Sequence, residues 1–385
     1  MDIMSLINIE KITNWRRHFH MYPEVAFKEY ESSNYIAKEL ENYPDIEILR
    51  PTETSIVAVL KGGKPGKVVG LRADFDALPV EEETDLPFKS KNAGVMHACG
   101  HDFHPAMLLG AVDVLCGIKD ELCGTVKFIF QHAEEKEPGG ASQIIATGVL
   151  DDVNAFYGCH VSADEPAGTL LAASGPIYAN ADFFGIDIQG KGAHAARPEQ
   201  GIDTILVGAE VVQALNYIVS RNVTSKERAV LTVGTFHAGT ADNIIPDSAR
   251  ITGTVRTYTP KIRSLIEGKI STLAENICEA YGASCIVEYK RGYDAVVNDA
   301  GLYDLFKKIA GETLPDLTVN VREPLMGGED FSAYGAIAPI FFAGIGARYE
   351  AEEFFGHHHP KVRFDEDALP AGTALYIAFA MNAGK

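Results

Sequence analysis

The chain has 385 residues, 46% of them hydrophobic and 23% charged, the proportions of a globular protein long enough to divide its core between two domains. A net charge of -19 argues against nucleic acid or an anionic membrane as the main partner, and no apolar run approaches the ~20 residues of a spanning helix. The opening residues lack a signal-peptide core, and the six cysteines are dispersed without a CxxC pair, as expected for a reducing cytoplasm.

In chain order, an opening helix ends at the turn around Pro23, and a second helix is expected over about Tyr30 to Glu41. Strands follow at Ser55 to Leu60 and Val68 to Arg72, the latter apolar until it reaches Arg72, Asp74 and Asp76. The stretch Met96-His97-Ala98-Cys99-Gly100-His101-Asp102-Phe103-His104 then opens a helix running to about Gly117. A buried strand, Val126 to Phe130, delivers Glu134 and Glu135; a helix from Gly140 to Thr147 leads to a strand Ala155 to Gly158, and then to Cys159 and His160. Strands alternating with helices predict a layered α/β sheet, with the chemistry gathered where strands finish.

Near Ser174 to Asn180 the pattern changes. Strands are expected at Phe183 to Gln189, Ala229 to Phe236, Ala249 to Thr257 and Ser284 to Tyr289, with helices at Ile202 to Val219 and Pro260 to Tyr281. Four strands and two helices make a self-sufficient α+β sandwich, inserted because α/β character resumes afterwards: a helix near Leu302 to Ile309, strands Leu317 to Val321 and Pro339 to Gly344, and a last helix from Glu366 to Met381. The predicted fold class is therefore α/β, with a catalytic domain at 1–178 and 293–385 and an inserted domain at 179–292.

Taken singly, the polar residues are weak signals. Cys99 with His101 is as readily a buried thiol beside a surface histidine, His160 a satisfied core histidine, and Glu134-Glu135 a solvated face. Together a thiolate, imidazoles and carboxylates suit Zn²⁺, with Mn²⁺, Co²⁺ or Ni²⁺ as other candidates, and a bridging ligand would allow two metals. Neighbouring residues point in different directions, so one glutamate could bind metal while the other faces water; the spacing does not say which. A thiol redox role fits poorly, since Cys99 has no resolving partner nearby in sequence.

The sequence resembles the M20 family of metallopeptidases and deacylases, in its amidohydrolase branch. The resemblance is carried by His20-Met21-Tyr22-Pro23-Glu24, Leu71 to Pro79, Met96 to His104, Ala133-Glu134-Glu135, Gly190 to Ala195, Asp242 to Pro246, Gly253 to Thr257, Gly327 to Phe331 and His358-His359-Pro360. It implies a metal-dependent hydrolase of N-acyl amino acids or small peptide-like conjugates, with two divalent metals per subunit. Cys99 would bridge the metals, His101 and His160 would hold one, and Glu135 and His358 the other. Glu134 would be the general base. His194 would reach a neighbouring subunit's site and polarise the scissile carbonyl, so a homodimer or larger homo-oligomer is expected. Asn243 and Arg256 would hold the substrate carboxylate, Gly328 would admit the substrate to the backbone, and the inserted domain would act as a lid and dimerisation unit. Asp76 would orient a ligand. Two departures from the family, His132 in place of proline and His237 in place of glycine, raise the question whether either reaches the pocket. The competing readings are a metal-dependent exopeptidase on dipeptides and a metal-free binding protein.

Overall fold

A computed structural model describes residues 2–350 and 353–385. These residues form two compact units: one runs to Ile177 and resumes over Val296–Glu323 and Asp330–Lys385, and the other comprises Tyr178–Ala295 and Pro324–Glu329.

The first unit opens with helices α1 (Ile9–Met21) and α2 (Tyr30–Leu40), then strands β1 (Ile46–Leu49), β2 (Ile56–Lys61) and β3 (Lys64–Asp74). Helix α3 (Phe103–Gly117), strand β4 (Cys123–Gln131), helix α4 (Gly140–Ala146) and strands β5 (Ala155–Pro166), β6 (Thr169–Ala172) and β7 (Gly175–Tyr178) follow. The second unit holds β8 (Asn180–Gln189), β9 (Ala193–His194), α5 (Thr204–Asn222), β10 (Ala229–Ala238), β11 (Ile244–Ile245), β12 (Ser248–Thr257), α6 (Pro260–Ala280) and β13 (Ser284–Arg291). The chain then completes the first unit with β14 (Val296–Asn298), α7 (Ala300–Thr313), β15 (Thr318–Val321), β16 (Ile340–Arg348) and α8 (Ala368–Ala383). None of the described helices is long and apolar enough to cross a membrane.

The helices start where the sequence supplies acceptors for their first free N–H groups. Asn8 caps α1, Asp203 caps α5, Thr259 caps α6 ahead of Pro260, and Asp299 caps α7. Helices α3 and α8 are apolar on nearly every face, and both are buried against the large sheet.

That sheet has eight strands in the order β1-β2-β4-β3-β5-β16-β6-β15. Its centre, β4-β3-β5-β16, is parallel, while β1, β2 and β6 add antiparallel pairs. The sequence reading finds the strands of this centre and misses β1 and β6, whose four residues each are too short for a pattern. It also ends the fifth strand too early. Pairing with β3 stops at Gly158, but β5 continues against β16, where His160 faces Gly344, so His160 lies inside a strand and just past the end of its pairing with β3.

In the second unit a four-stranded antiparallel sheet, β10-β12-β8-β13, packs against α5 and α6 around Phe184, Ile186, Val211, Leu215, Ile251 and Ile266. Asp182 is fully buried here and accepts from Arg263 Nε (2.8 Å), Arg263 Nη2 (2.5 Å), Tyr289 Oη (2.8 Å) and the Gly292 N–H (3.1 Å). Removing one partner of such a pair strands the other charge in the interior. Asp182→Ala should therefore lower the unfolding free energy by about 3–5 kcal/mol. Urea titration followed by circular dichroism reads the change, and a midpoint equal to wild type would contradict it.

Candidate metal centre

Four segments of the first unit converge: the loop of Cys99 and His101 ahead of α3, the turn after β4, the middle of β5, and the loop 357–360 ahead of α8. Ligand atoms of Cys99, His101 and His160 lie within 4.8 Å of one another, and so do those of Cys99, Glu135 and His358. The Cys99 sulfur belongs to both sets. Glu134 joins His101 and Glu135 in a third group, within the same limit.

Hydrogen bonds away from the centre decide which nitrogens face it. His101 Nδ1 lies 3.0 Å from the carbonyl oxygen of Asp76, and His160 Nδ1 lies 2.6 Å from that of Val161. A carbonyl can only accept, so each Nδ1 carries a proton and, in the neutral ring, the lone pair is on Nε2. His101 Nε2 is enclosed without a hydrogen-bond partner among the described residues, although oxygens of Asp74, Glu135 and Glu134 stand 3.6, 3.9 and 4.0 Å away. His160 Nε2 is 3.5 Å from Cys99 Sγ. A lone pair pointed into a ring of anionic oxygens and a sulfur is a cation site in its donor chemistry, so the residues fit a divalent metal.

Electrostatics agree. Burial works against protonating His101, yet Asp74 and Cys99 outweigh it and push the imidazole well above its ordinary range. Burial, then Glu135, pushes the Cys99 thiol well up, so a nearby positive charge is needed to hold it as thiolate. The centre attracts positive charge.

Further groups hold this geometry. Asp76 Oδ2 accepts the Glu135 N–H at 3.0 Å, and Asp76 Oδ1 lies 3.3 Å from His101 Nδ1. Asp74 accepts from Arg72 Nη1 at 2.9 Å and from His104 Nδ1. His104 Nε2 accepts the Val161 N–H at 3.1 Å, which leaves that ring no lone pair for a metal; His104 braces the site instead. Arg72, fully buried, also donates to Gln131 Oε1 (2.9 Å) and Asp330 Oδ1 (2.8 Å). The sequence reading missed His104 and this arginine network, although charged residues ending an otherwise apolar strand were a visible signal.

Among the three consecutive histidines, His358 Nε2 lies 3.3 Å from Glu135 Oε1, with its backbone held at φ +66°. His357 Nδ1 lies 3.7 Å from Cys99 Sγ while its Nε2 accepts the Ala163 N–H, and His359 stacks on Phe355. His132 is buried against Phe27 and Gln143 and joins none of the donor groups.

The remaining expected residues lie in the second unit. His194 and Asn243 are neighbours: Ile244 pairs with His194, and the Ala195 N–H donates to the Asn243 carbonyl at 3.1 Å. The Ala196 N–H donates to His194 Nδ1 at 3.0 Å, so the exposed ring carries its proton on Nε2. Arg256 pairs with Ala181, and a side chain on Gly328 would come within 2.9 Å of the Ala181 Cβ, so close packing is one reason for that glycine. Arg256 lies eight residues along β12 from Ser248, the end nearer β9, or about 26 Å at roughly 3.3 Å per residue. Asn243 and Arg256, both expected to hold the substrate carboxylate, thus belong to opposite ends of β12. His237 is exposed on β10, opposite Arg250.

A model of peptidase family M20/M25/M40 matches residues 70–382. The chain is 44% identical over 299 residues to the N-acyl-L-amino acid amidohydrolase of Geobacillus stearothermophilus, covering 77% of this chain and 81% of that one. It is 38% identical over 392 residues to thermostable carboxypeptidase 1 of Saccharolobus solfataricus, covering 99% of each. The crystal structure of the Bacillus subtilis YXEP protein, a dinuclear metal binding peptidase from the M20 family, matches with a TM-score of 0.86 and 35% identity over 98% of both chains.

The loop bearing Cys99 and His101 is anchored through Asp102, which forms an ion pair with Arg16 Nε and contacts His20 Nδ1, both at 2.8 Å; His20 Nε2 reaches Glu82 at 3.2 Å. Burial lowers the His20 pKa, but the attraction of Asp102 and hydrogen bonds to both carboxylates outweigh it and raise the value above 6.5. A raised native pKa stabilises the fold below the unfolded value and loses that contribution as pH climbs through the native one. The stability advantage of wild type over His20→Gln should thus be largest near pH 6 and shrink toward pH 9. Denaturant midpoints across that range would read it, and a gap that widens with pH would overturn the assignment.

Proposed function

The chain belongs to peptidase family M20/M25/M40, and on that premise we propose that it is a metal-dependent amidohydrolase cleaving the amide bond of N-acyl amino acids. The observation that carries the proposal is the Cys99 sulfur common to two donor sets, with Glu134 beside them. Cys99, His101 and His160 would hold one divalent cation, and Cys99, Glu135 and His358 a second. The mixture of sulfur, nitrogen and oxygen suits zinc or manganese, with cobalt and nickel as alternatives. Such cations, when bound, supply Lewis acidity toward the acyl carbonyl and make nearby water more acidic.

Glu134 takes the proton of the attacking water and returns it to the departing amine. Its neighbour Glu135 stays anionic, because His358 and His101 pull its pKa down against the effect of burial. His194, with its proton on Nε2, presents a donor suited to the developing negative charge on the carbonyl oxygen. In a homodimer or larger assembly that donor would serve the neighbouring subunit's site, with Asn243 beside it, while Arg256 and Gly328 would serve the substrate from the other end of the sheet. The planar guanidinium of Arg256 matches a carboxylate, which favours acylated α-amino acids. The second unit would then act as lid and assembly surface. Six free cysteines fit a reducing cytoplasm.

A second reading, a metal-dependent exopeptidase acting on dipeptides, is supported by the likeness to the carboxypeptidase. The complete donor set argues against a metal-free binding protein.

Release of free amine from N-acetyl and N-benzoyl amino acids and from dipeptides separates the two enzymatic readings. Activity should vanish on chelation and return with one or more of Zn²⁺, Mn²⁺, Co²⁺ and Ni²⁺ added singly; activity indifferent to chelators would end the proposal. Glu134→Gln should retain its metal, measured by elemental analysis, while kcat falls about 10²–10⁴-fold. Near-normal turnover by that variant would remove Glu134 from the mechanism.

A further inference from the structure

Glu29 lies outside the residues matched by the family model and has no part in the donor sets, yet it is fully buried against the turn that carries Glu134. Its Oε1 accepts two backbone N–H groups, from Phe27 and from Ala133, both at 2.9 Å. Its Oε2 accepts from Thr54 Oγ1 at 3.2 Å. Both backbone donors belong to residues in the left-handed region, Phe27 at φ +65° and Ala133 at φ +52°. A side chain with a Cβ adopts that region at a cost and stays there only where its surroundings hold it.

Ala133 immediately precedes Glu134. On the other side, the Glu135 N–H is held at 3.0 Å by Asp76 Oδ2. The His132–Ala133 peptide before Glu134 and the Glu134–Glu135 peptide after it are thus gripped by two buried carboxylates, one from the N-terminal segment and one from just beyond β3. The Phe27 ring meets His132 edge to face at 5.6 Å and ties the same two segments again. We infer that Glu29 is a positioning residue: by holding the Ala133 N–H it keeps the turn in its strained conformation and aims Glu134 at its proton. This rests on the reading of Glu134 as proton acceptor.

The physical reason is reach. A general base works only within hydrogen-bond distance of the proton it takes, and a misplacement of about 1 Å costs as much as ~10²-fold in rate. Without Glu29 the Ala133 N–H is buried with no acceptor, and the turn is free to relax toward negative φ, carrying Glu134 with it. Burial and the nearby Asp76 push the Glu29 carboxyl up to about 7. The Thr54 hydroxyl can donate or accept, so Oε1 keeps its two N–H groups whether or not Oε2 is protonated. Glutamine, the same shape without the charge, should therefore preserve the grip.

The test compares wild type, Glu29→Gln, Glu29→Ala and Glu134→Gln on the N-acyl amino acid that wild type turns over fastest, with rates normalised to metal content per subunit. Glu29→Ala should lose kcat by about tenfold or more at nearly unchanged KM, and Glu29→Gln should stay within about threefold of wild type. A purely structural role would lower the yield of folded, metal-loaded protein without lowering the normalised kcat. If Glu29→Ala does not fold, Glu29→Asp replaces it, since that carboxylate stops one methylene short of the Ala133 N–H and should show the same kcat loss. Hydrogen exchange read by mass spectrometry should be faster in the peptide spanning residues 131–135 of the Ala or Asp variant, and unchanged in the Gln variant. Wild-type kcat and wild-type exchange in the Ala or Asp variant would overturn the inference. High activity in Glu134→Gln would instead overturn the role of Glu134, a result independent of the exchange measurement.

Discussion

The first unit depends on holding several negative groups close together in a buried place. Asp74, Asp76, Glu134, Glu135 and the Cys99 sulfur gather around His101, where water cannot screen their repulsion. Two arginines offset part of that charge from outside: Arg72 beneath Asp74 and Arg16 beneath Asp102, both almost fully enclosed. Arg72 donates from all three nitrogens, fixing the ends of β3 and β4 to Asp330 as it does so. The charge left over at the centre is what gives it affinity for cations. An interior composed this way is held by compensation rather than by strong individual pairs, since buried ions recover their desolvation cost only with good geometry.

Backbone carbonyls and N–H groups do the finer sorting. Histidine presents two chemically distinct nitrogens, and the local hydrogen bond decides which of them is bare. His101 and His160 each give a proton to a carbonyl and turn a lone pair inward, whereas His104 and His357 each spend a lone pair on a backbone N–H. Four imidazoles lie within a few ångströms, and their roles follow from where the neighbouring strand puts its peptide groups. Among the described residues the positive-φ positions that are not glycine are Phe27, Ala133 and His358, and each belongs to the centre or to its support. Strain concentrates where side chains must point in directions the ordinary backbone does not offer.

The second unit sets the residues that the family likeness assigns to substrate toward opposite ends of one sheet. His194 and Asn243 sit beyond one end of β12, and Arg256 and Gly328 gather near Ala181 at the other. An antiparallel sheet is stiff along its strands, so these pairs cannot be drawn together by small adjustments. That separation is a consequence of strand register, which is invisible when motifs are matched one by one.

Composition and periodicity determined the two-unit plan, the layered α/β sheet and the four-stranded sheet with two helices, because apolar runs and caps are local properties of the chain, whereas the set Cys99, His101, Glu135, His160 and His358 came from the family resemblance. Motif spacing could also bring Glu134 and Glu135 to the end of β4. It could not say that His160 lies within a strand, that His104 braces rather than binds, or that Glu29 meets Ala133 across more than a hundred residues of sequence. Those facts depend on strand register and on which nitrogen or oxygen faces which peptide group. Contacts of that kind exist only once distant segments are packed together, so the tertiary structure alone decided them.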